Sequence, residues 1–284
     1  MGTLRFEIVE EQLSKKFSSV KELSILIGVD SFAYMVNDEN LYIQILKEYT
    51  FKPLQPGQNW GDIIAPILEK DKHLRASFNH IWLGIDHQIA TLVPNRLYRS
   101  DEKMAYLDNL AVLTERDELV SDDMPYLSAK LIYPFDQTLH ALFKKTFPGY
   151  RSYHLVTTLV KALRPHTAKQ NGYHLFVLFH SQSIRVMLFD KNDLLFINYF
   201  TFKSASDVVY YIMMIIDQFS LSTIELPVYL AGQLLKDSEI YRLLCRYLNA
   251  VRFMEVPPQF ELGNHLGRYP EYFFYDLLSL RLGD

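Results

Sequence analysis

Two polar pairs stand where apolar strands run out, and they are the places where this chain could do chemistry. Asp30-Ser31 follows Ile25-Leu26-Ile27 closely, and His180-Ser181 follows Val177-Leu178-Phe179. A histidine beside a serine suggests a base and a nucleophile. Adjacent strand residues point to opposite faces, however, so ordinary turn residues are the better reading. Gly232 ends the apolar run Val228-Tyr229-Leu230-Ala231, and a glycine between strand and helix is explained by the turn alone. The nine histidines are scattered; His73, His80 and His87 are spaced by seven but span a helix end and a strand. With no His-Glu-x-x-His pattern and a single cysteine, no metal site is expected. The two commonest phosphate cradles, G-x-x-x-x-G-K-[ST] and G-x-G-x-x-G, are absent.

The elements that must position these residues repeat. Residues 23–47 read as strand, tight turn at Asp30-Ser31, strand, polar turn at Asp38-Glu39-Asn40, strand. Residues 172–202 give the same order, with His180-Ser181-Gln182 and Asp190 to Asp193 as the turns. A helical segment and a further apolar strand follow each meander. This repetition predicts a mixed α/β chain of two β-β-β-α-β-α lobes. Lobe boundaries are placed at 1–165 and 166–284, with Pro165 to Asn171 as linker and the C-terminal helix near the junction.

The spacing predicts a helix from Trp60 to about Lys72 and a strand over Ser77–Ile85. Gln88–Pro94 reads as extended. A helix capped at Ser100 carries Met104, Leu107, Leu110 and Ala111. The acidic run Asp117 to Asp123 reads as a solvated turn or a ligand loop, the turn being the better reading, and Lys130–Tyr133 as a strand closed by Pro134. Helices are expected over Phe135–Phe147 and Tyr153–Leu163. In the second half, Ser204 caps a helix to about Phe219, Asp237–Leu248 is helical and Val251–Val256 is a strand. Breaks fall at Pro53, Pro56, Gly57, Pro257-Pro258 and the Gly263–Gly267 loop, before a closing helix with Phe273, Phe274, Leu277, Leu278 and Leu280.

With 49% apolar and 14% aromatic residues, 284 residues bury a large core. Lys+Arg 29 against Asp+Glu 33 gives a net charge of −4, which argues against a nucleic-acid binder. Cys245, alone in a helical pattern, reads as a structural thiol of a reducing compartment. The apolar run Val208–Ile216 is far shorter than the ~20 residues of a membrane span. The charged N-terminus lacks a signal peptide's apolar block. A cytoplasmic protein is expected.

Over roughly residues 20–284 the element order resembles the actin-like ATPase (ribonuclease H-like) fold of sugar kinases, heat-shock chaperones and actin. Ile25 to Ser31, Ala90 to Pro94 and Val228 to Gly232 are more narrowly similar to a bacterial family of unknown function, domain of unknown function 3822, with a divergent form of that fold. The wider fold is also similar to scaffold components of pilus-assembly and secretion machines. In working members of the fold each first hairpin turn is Asp-x-Gly, the glycine letting backbone N–H groups touch phosphate. Placed on that pattern, Asp30 keeps the acid while Phe32 stands for the glycine; His180 and Gln182 replace acid and glycine in the second copy.

The resemblance with eroded turns implies a non-catalytic interaction or scaffold protein with an unidentified protein partner and no cofactor. Tyr269, Tyr272 and Tyr275, crowded on one short segment, are its candidate contacts. The alternative is a nucleotide-binding protein or slow ATPase, with ATP and magnesium at Asp30, Ser31, His180, Ser181 and Gly232. A hydrolase or transferase using His180 and Asp30 is a remote third reading.

Overall fold

Apolar residues at successive positions mark strands buried on both faces, and the first such run forms the centre of a sheet. The computed structural model describes residues 2–10, 21–52, 58–110, 112–169, 171–257, 259–263 and 269–282. The chain opens with β1 (Thr3–Val9), then the meander β2 (Lys21–Ile27), β3 (Ser31–Asp38) and β4 (Tyr42–Thr50). There follow α1 (Trp60–Lys70), β5 (His80–Ile85), β6 (Thr91–Pro94), β7 (Asp117–Met124), β8 (Ala129–Asp136), α2 (Gln137–Thr146), β9 (Arg151–His154) and α3 (Leu155–Thr167). The second meander is β10 (Tyr173–Phe179), β11 (Ser183–Asp190) and β12 (Asp193–Thr201). Then come α4 (Ala205–Gln218), β13 (Val228–Gly232), α5 (Glu239–Tyr247), β14 (Val251–Phe253), β15 (Glu261–Leu262) and α6 (Tyr275–Leu282).

The first large sheet runs β1-β4-β3-β2-β5-β9, with β15 parallel to β4; the second runs β12-β11-β10-β13-β14. Each therefore contains an antiparallel meander extended from its first strand by two parallel strands. Helices cross between the parallel strands, as such pairing requires. Their starts are written in the sequence: Asn59 caps α1, Asp136 caps α2, Ser238 caps α5, and Ser204 with Asp207 forms a capping box on α4. A small third sheet, β6-β8-β7, sits in the chain between β5 and β9.

The chain divides into two compact units. The first is Met1–Lys161 with Pro258–Arg268 and Leu277–Asp284; the second is Ala162–Pro257 with Tyr269–Asp276. The C-terminal segment is thus shared between units rather than held whole by the second. Its return to the first is anchored by β15 on β4 and by Arg281, whose Nε donates to Glu22 Oε2 at 2.6 Å.

Several local expectations are corrected. Residues 100–110 form turns instead of a helix: Ala105 N bonds Glu102 O, Leu107 N bonds Met104 O and Leu110 N bonds Leu107 O. Of the expected apolar stripe, Leu107 is buried while Met104 and Leu110 are more than half exposed. The acidic run is strand β7, because Asp122 turns inward and finds donors. Tyr133 Oη (3.0 Å), His154 N (2.7 Å) and Thr157 Oγ1 (2.7 Å) all donate to it. Pro134 does not close β8. It lies beyond the residues that pair with β6, opposite Leu119 of β7, where a missing N–H is tolerated. Pro165 lies inside α3, so the linker begins later.

The closing helix starts at Tyr275, behind a 3-10 turn over Glu271–Phe274. β1 was hidden by its charges; Glu7 pairs with Lys47 of β4 at 2.7 Å and Arg5 with Glu48 at 3.5 Å. Pro53, Pro56, Gly57, Ala111, Pro258 and residues 264–267 lie outside the described residues.

Asp71, at the end of α1, ties that helix to the sheet. Its Oδ2 accepts from Tyr34 Oη (2.7 Å), Tyr49 Oη (2.8 Å) and Lys47 Nζ (3.0 Å), and its Oδ1 from His73 N (3.0 Å). Burial pushes its pKa up, but the four donors outweigh burial and bring it down to about 2 from 3.8. A carboxylate held below its unfolded pKa stabilises the fold above that value and loses the contribution as pH falls. Asp71 is therefore expected to supply about 2 kcal/mol at neutral pH, lost between about pH 4 and pH 2. Urea unfolding of the wild type and Asp71→Asn across that range checks it; parallel acid profiles would remove the role.

Gly232 has φ +82°, and a Cβ there would lie 2.2 Å from the Phe179 carbonyl oxygen. Gly149 has the same φ with nothing within 4 Å. Gly149→Ala should cost about 1 kcal/mol, from the left-handed backbone alone. Gly232→Ala should cost roughly 3 kcal/mol or more, because the β10–β13 pairing must shift as well. Equal urea midpoints for the two variants would contradict this account.

Candidate functional site

The two first hairpins close in the same way. Gly28 N donates to Ser31 O and His180 N to Ser183 O, each at 2.9 Å. Phe51 N donates to Asp30 O (2.8 Å) and Phe202 N to Gln182 O (3.0 Å). The turns therefore superpose Gly28 on His180, Asp30 on Gln182 and Ser31 on Ser183. That is a two-residue correction to the matching of His180 with Asp30 and Gln182 with Phe32. The residue equivalent to Phe32 is Ile184, and both are fully buried.

Phe32 lies within β3, between Ile27 of β2 and Tyr49 of β4. Its ring centroid stands 6.3 Å from those of Tyr34 and Tyr49. Backbone at that position is part of the sheet ladder, and its side chain is core. Asp30 is exposed at the turn and Ser31 half-buried at the start of β3.

In the second unit His180, exposed Ser181 and Gly232 gather at the carboxyl ends of β10 and β13. Gln233 N donates to Phe179 O (2.9 Å) there, as Asp86 N donates to Ile27 O (2.8 Å) in the first unit. His180 Nδ1 lies 3.9 Å from Asp276 Oδ2, an ion pair only when the ring is protonated. Gly232 is required by the close approach of Phe179, whatever else the site does.

Reasoning from the sequence missed a concavity of the first unit. A cleft of about 720 Å³ lies at the carboxyl ends of the parallel strands β2 and β5, the end of an α/β sheet where ligands bind. Ile27, Ile85, Ile89, Phe135 and Leu139 give it an apolar lining, and Trp60 stands at the start of α1. Asp86, Glu115, Asp117 and Asp136 bring four carboxylates against the one guanidinium of Arg116. Asp136 caps α2 through Thr138 N and Leu139 N, and Asp117 accepts from Thr114 N (2.7 Å). Asp86 is 4% exposed, and Glu115 is exposed.

The 86–89 loop is held by buried His154. Its Nε2–H donates to His87 O (3.0 Å), while its Nδ1 accepts from Val156 N (3.1 Å), which fixes the neutral tautomer. The available signal was Asp86-His87, a polar pair directly after an apolar strand. Among the described residues no three carboxylate, imidazole or thiol groups converge as metal ligands.

Of the three tyrosines singled out, Tyr269 is 39% exposed, whereas Tyr272 and Tyr275 are buried at 6% and 3%. Tyr272 stacks on Phe253 with centroids 4.0 Å apart. Among the described residues no helix is long and apolar enough to cross a membrane.

A protein of unknown function from Bacteroides thetaiotaomicron VPI-5482 with an actin-like ATPase fold superposes with TM-score 0.71 at 16% identity, covering 82% of this chain and 90% of that one. The PilM–PilN type IV pilus biogenesis complex gives 0.61 at 12%, covering 94% and 100%. Ethanolamine utilization protein EutJ from Carboxydothermus hydrogenoformans gives 0.51 at 9%, covering 97% and 94%. At these identities the likeness establishes fold alone, and the fold is the actin-like ATPase fold. No curated protein matches the sequence. Residues 10–251 match the family described as "Protein of unknown function (DUF3822)", and the chain belongs to that family.

Proposed function

We propose that this protein is a non-catalytic interaction or scaffold module on an actin-like frame. The observation that carries the reading is Phe32. Where a phosphate-binding turn needs a glycine with its backbone open, this chain has a fully buried ring inside a paired strand. Ile184 does the same in the second unit. The acidic lining of the cleft adds repulsion for any triphosphate that approaches β2 and β5. A solved neighbour, PilM, is seen with PilN, which supports a protein partner for this fold without naming one here. The competing reading, ATP with magnesium at Asp30, Ser31, His180, Ser181 and Gly232, draws on the exposed Asp30 carboxylate.

Calorimetric titration with ATP and millimolar magnesium decides between the readings. No saturable binding is expected; a micromolar constant would sink the interaction reading in favour of the nucleotide one. On the partner side, Tyr269 is the exposed aromatic of the C-terminal segment and the candidate contact there. Tyr269→Ala should weaken binding of a co-purified partner by about 1–3 kcal/mol and leave the unfolding midpoint in place. The buried Tyr272 and Tyr275 should instead lower the midpoint when truncated. Unchanged partner binding by Tyr269→Ala removes it from the interface.

A further inference from the structure

We infer that β12 is an open sheet edge that pairs with β12 of a second copy of this chain, antiparallel and about a twofold axis at Asn198. This goes beyond the interaction reading and does not depend on it. The internal repeat shows what such an edge accepts. β4 and β12 are the third strands of the two meanders, and each is nine residues long. β4 is covered by antiparallel β1 and is buried from Ile43 to Glu48. β12 ends its sheet, and among the described residues no strand takes the place that β1 takes on β4. None of its residues is buried, although Leu194, Leu195, Phe196, Ile197, Tyr199 and Phe200 are all apolar or aromatic. Sheet edges are ordinarily kept from pairing by shortness, charge or proline. The other edges of the two large sheets follow that rule: β9 has four residues with Arg151, β14 has three with Arg252, and β1 carries Arg5 and Glu7. From Leu194 to Thr201, β12 has neither a charge nor a proline.

The backbone fixes the geometry. Phe202 N donates to Gln182 O, so by alternation Phe196, Asn198 and Phe200 bond β11, while Ile197, Tyr199 and Thr201 turn their backbone groups outward. Side chains already stand in for a strand there. Asn198 Oδ1 accepts from Tyr199 N at 2.8 Å, and Tyr211 Oη donates to Thr201 O at 3.1 Å. Self-pairing about Asn198 sets Ile197 against Tyr199 and Phe196 against Phe200, both favourable cross-strand pairs. It also sets Asp193 against Lys203, which are exposed and opposite in sign. Centring the pair on Ile197 would instead oppose Lys191 to Lys203, so charge selects the register. α4 lies along the same strand, with Tyr211 stacked on Phe200 at 4.5 Å and Phe219 meeting Phe196 at 6.1 Å. Its Tyr210 and Met214, one turn apart and 64% and 37% exposed, offer the second copy further apolar surface.

Sedimentation equilibrium of the full chain between about 1 and 200 μM is expected to show a reversible dimer. Leu195→Lys puts a charge at an exposed place on the edge and should weaken association about tenfold. Asp193→Lys and Lys203→Asp, each alone, set like charges against each other at both ends of the pair and should also weaken it about tenfold. An equimolar mixture of those two variants opposes unlike charges again and should recover wild-type association, a result that damage to the fold does not produce. Circular dichroism checks that each variant folds. A chain that stays monomeric to about 200 μM overturns the second copy as occupant and leaves the edge to a strand of another protein. A dimer indifferent to Leu195→Lys overturns β12 as its seat, and a mixture that fails to recover overturns the register. None of these outcomes bears on ATP binding, which tests the interaction reading separately.

Discussion

Each first hairpin is closed by one hydrogen bond, Gly28 N to Ser31 O in the first unit and His180 N to Ser183 O in the second, both 2.9 Å. Strand register has a period of two, so this single closure decides which residues face the core along both arms. It turns Phe32 and Ile184 inward and brings the carboxyl ends of β2 and β10 to fixed points. β5 and β13 then dock in parallel on those ends, at Ile27–Ile85 and Phe179–Gly232. In the first unit the cleft forms where β2 and β5 stop. Its position is a consequence of the turn closure before any lining residue is chosen.

The frame was legible because its signals are local and repeated. Apolar runs of strand length, broken by Asp38-Glu39-Asn40 and Asp190 to Asp193, gave both meanders to within a few residues. The capping residue Ser204 located α4. What failed was non-local. β7 reads as solvated because the donors that neutralise Asp122 come from β8 and the β9–α3 junction, distant in sequence. β1 reads as a charged tail because its partners Lys47 and Glu48 lie in β4. Matching Asp30 with His180 failed by two residues, because the chemical likeness of an acid and a histidine outweighed the turn geometry. Tyr272 and Tyr275 looked too many to bury until Phe253 supplied a stacking surface for one of them.

Two buried carboxylates with different donor sets titrate in opposite directions. Asp71 and Asp122 are 7% and 8% exposed, and burial raises the pKa of both. Asp71 has Lys47 Nζ at 3.0 Å besides two phenols and an amide, and falls to about 2. Asp122 has a phenol, an amide and a hydroxyl but no cation, with Asp123 beside it, and rises to about 6. A folded pKa above the unfolded one means that the native state takes up the proton first. Asp122 therefore costs stability as pH climbs from about 4 to about 6, whereas Asp71 contributes stability once pH exceeds about 4. Four donors, led by the Tyr34 phenol and the His73 amide and joined by Lys47, offset burial at Asp71, whereas three donors do not offset it at Asp122. Asp71 fastens α1, and Asp122 fastens the β9–α3 junction, whose His154 holds the loop at the cleft.

That division separates what the fold needs from what a site needs. Gly232 ends a strand at a turn, and its positive φ and the Phe179 carbonyl demand glycine with or without a ligand. Phe32 is the converse. The fold would accept a glycine there only by giving up a fully buried ring, at a cost of several kcal/mol. A residue that the core requires is hard to reconcile with a role in phosphate contact at the same backbone. Glu115 and Asp86 differ again. Neither caps a helix among the described contacts, and both line a cavity that the frame creates at its strand ends. The ends of β2 and β5 thus fix where a concavity lies before any of its side chains is given a role.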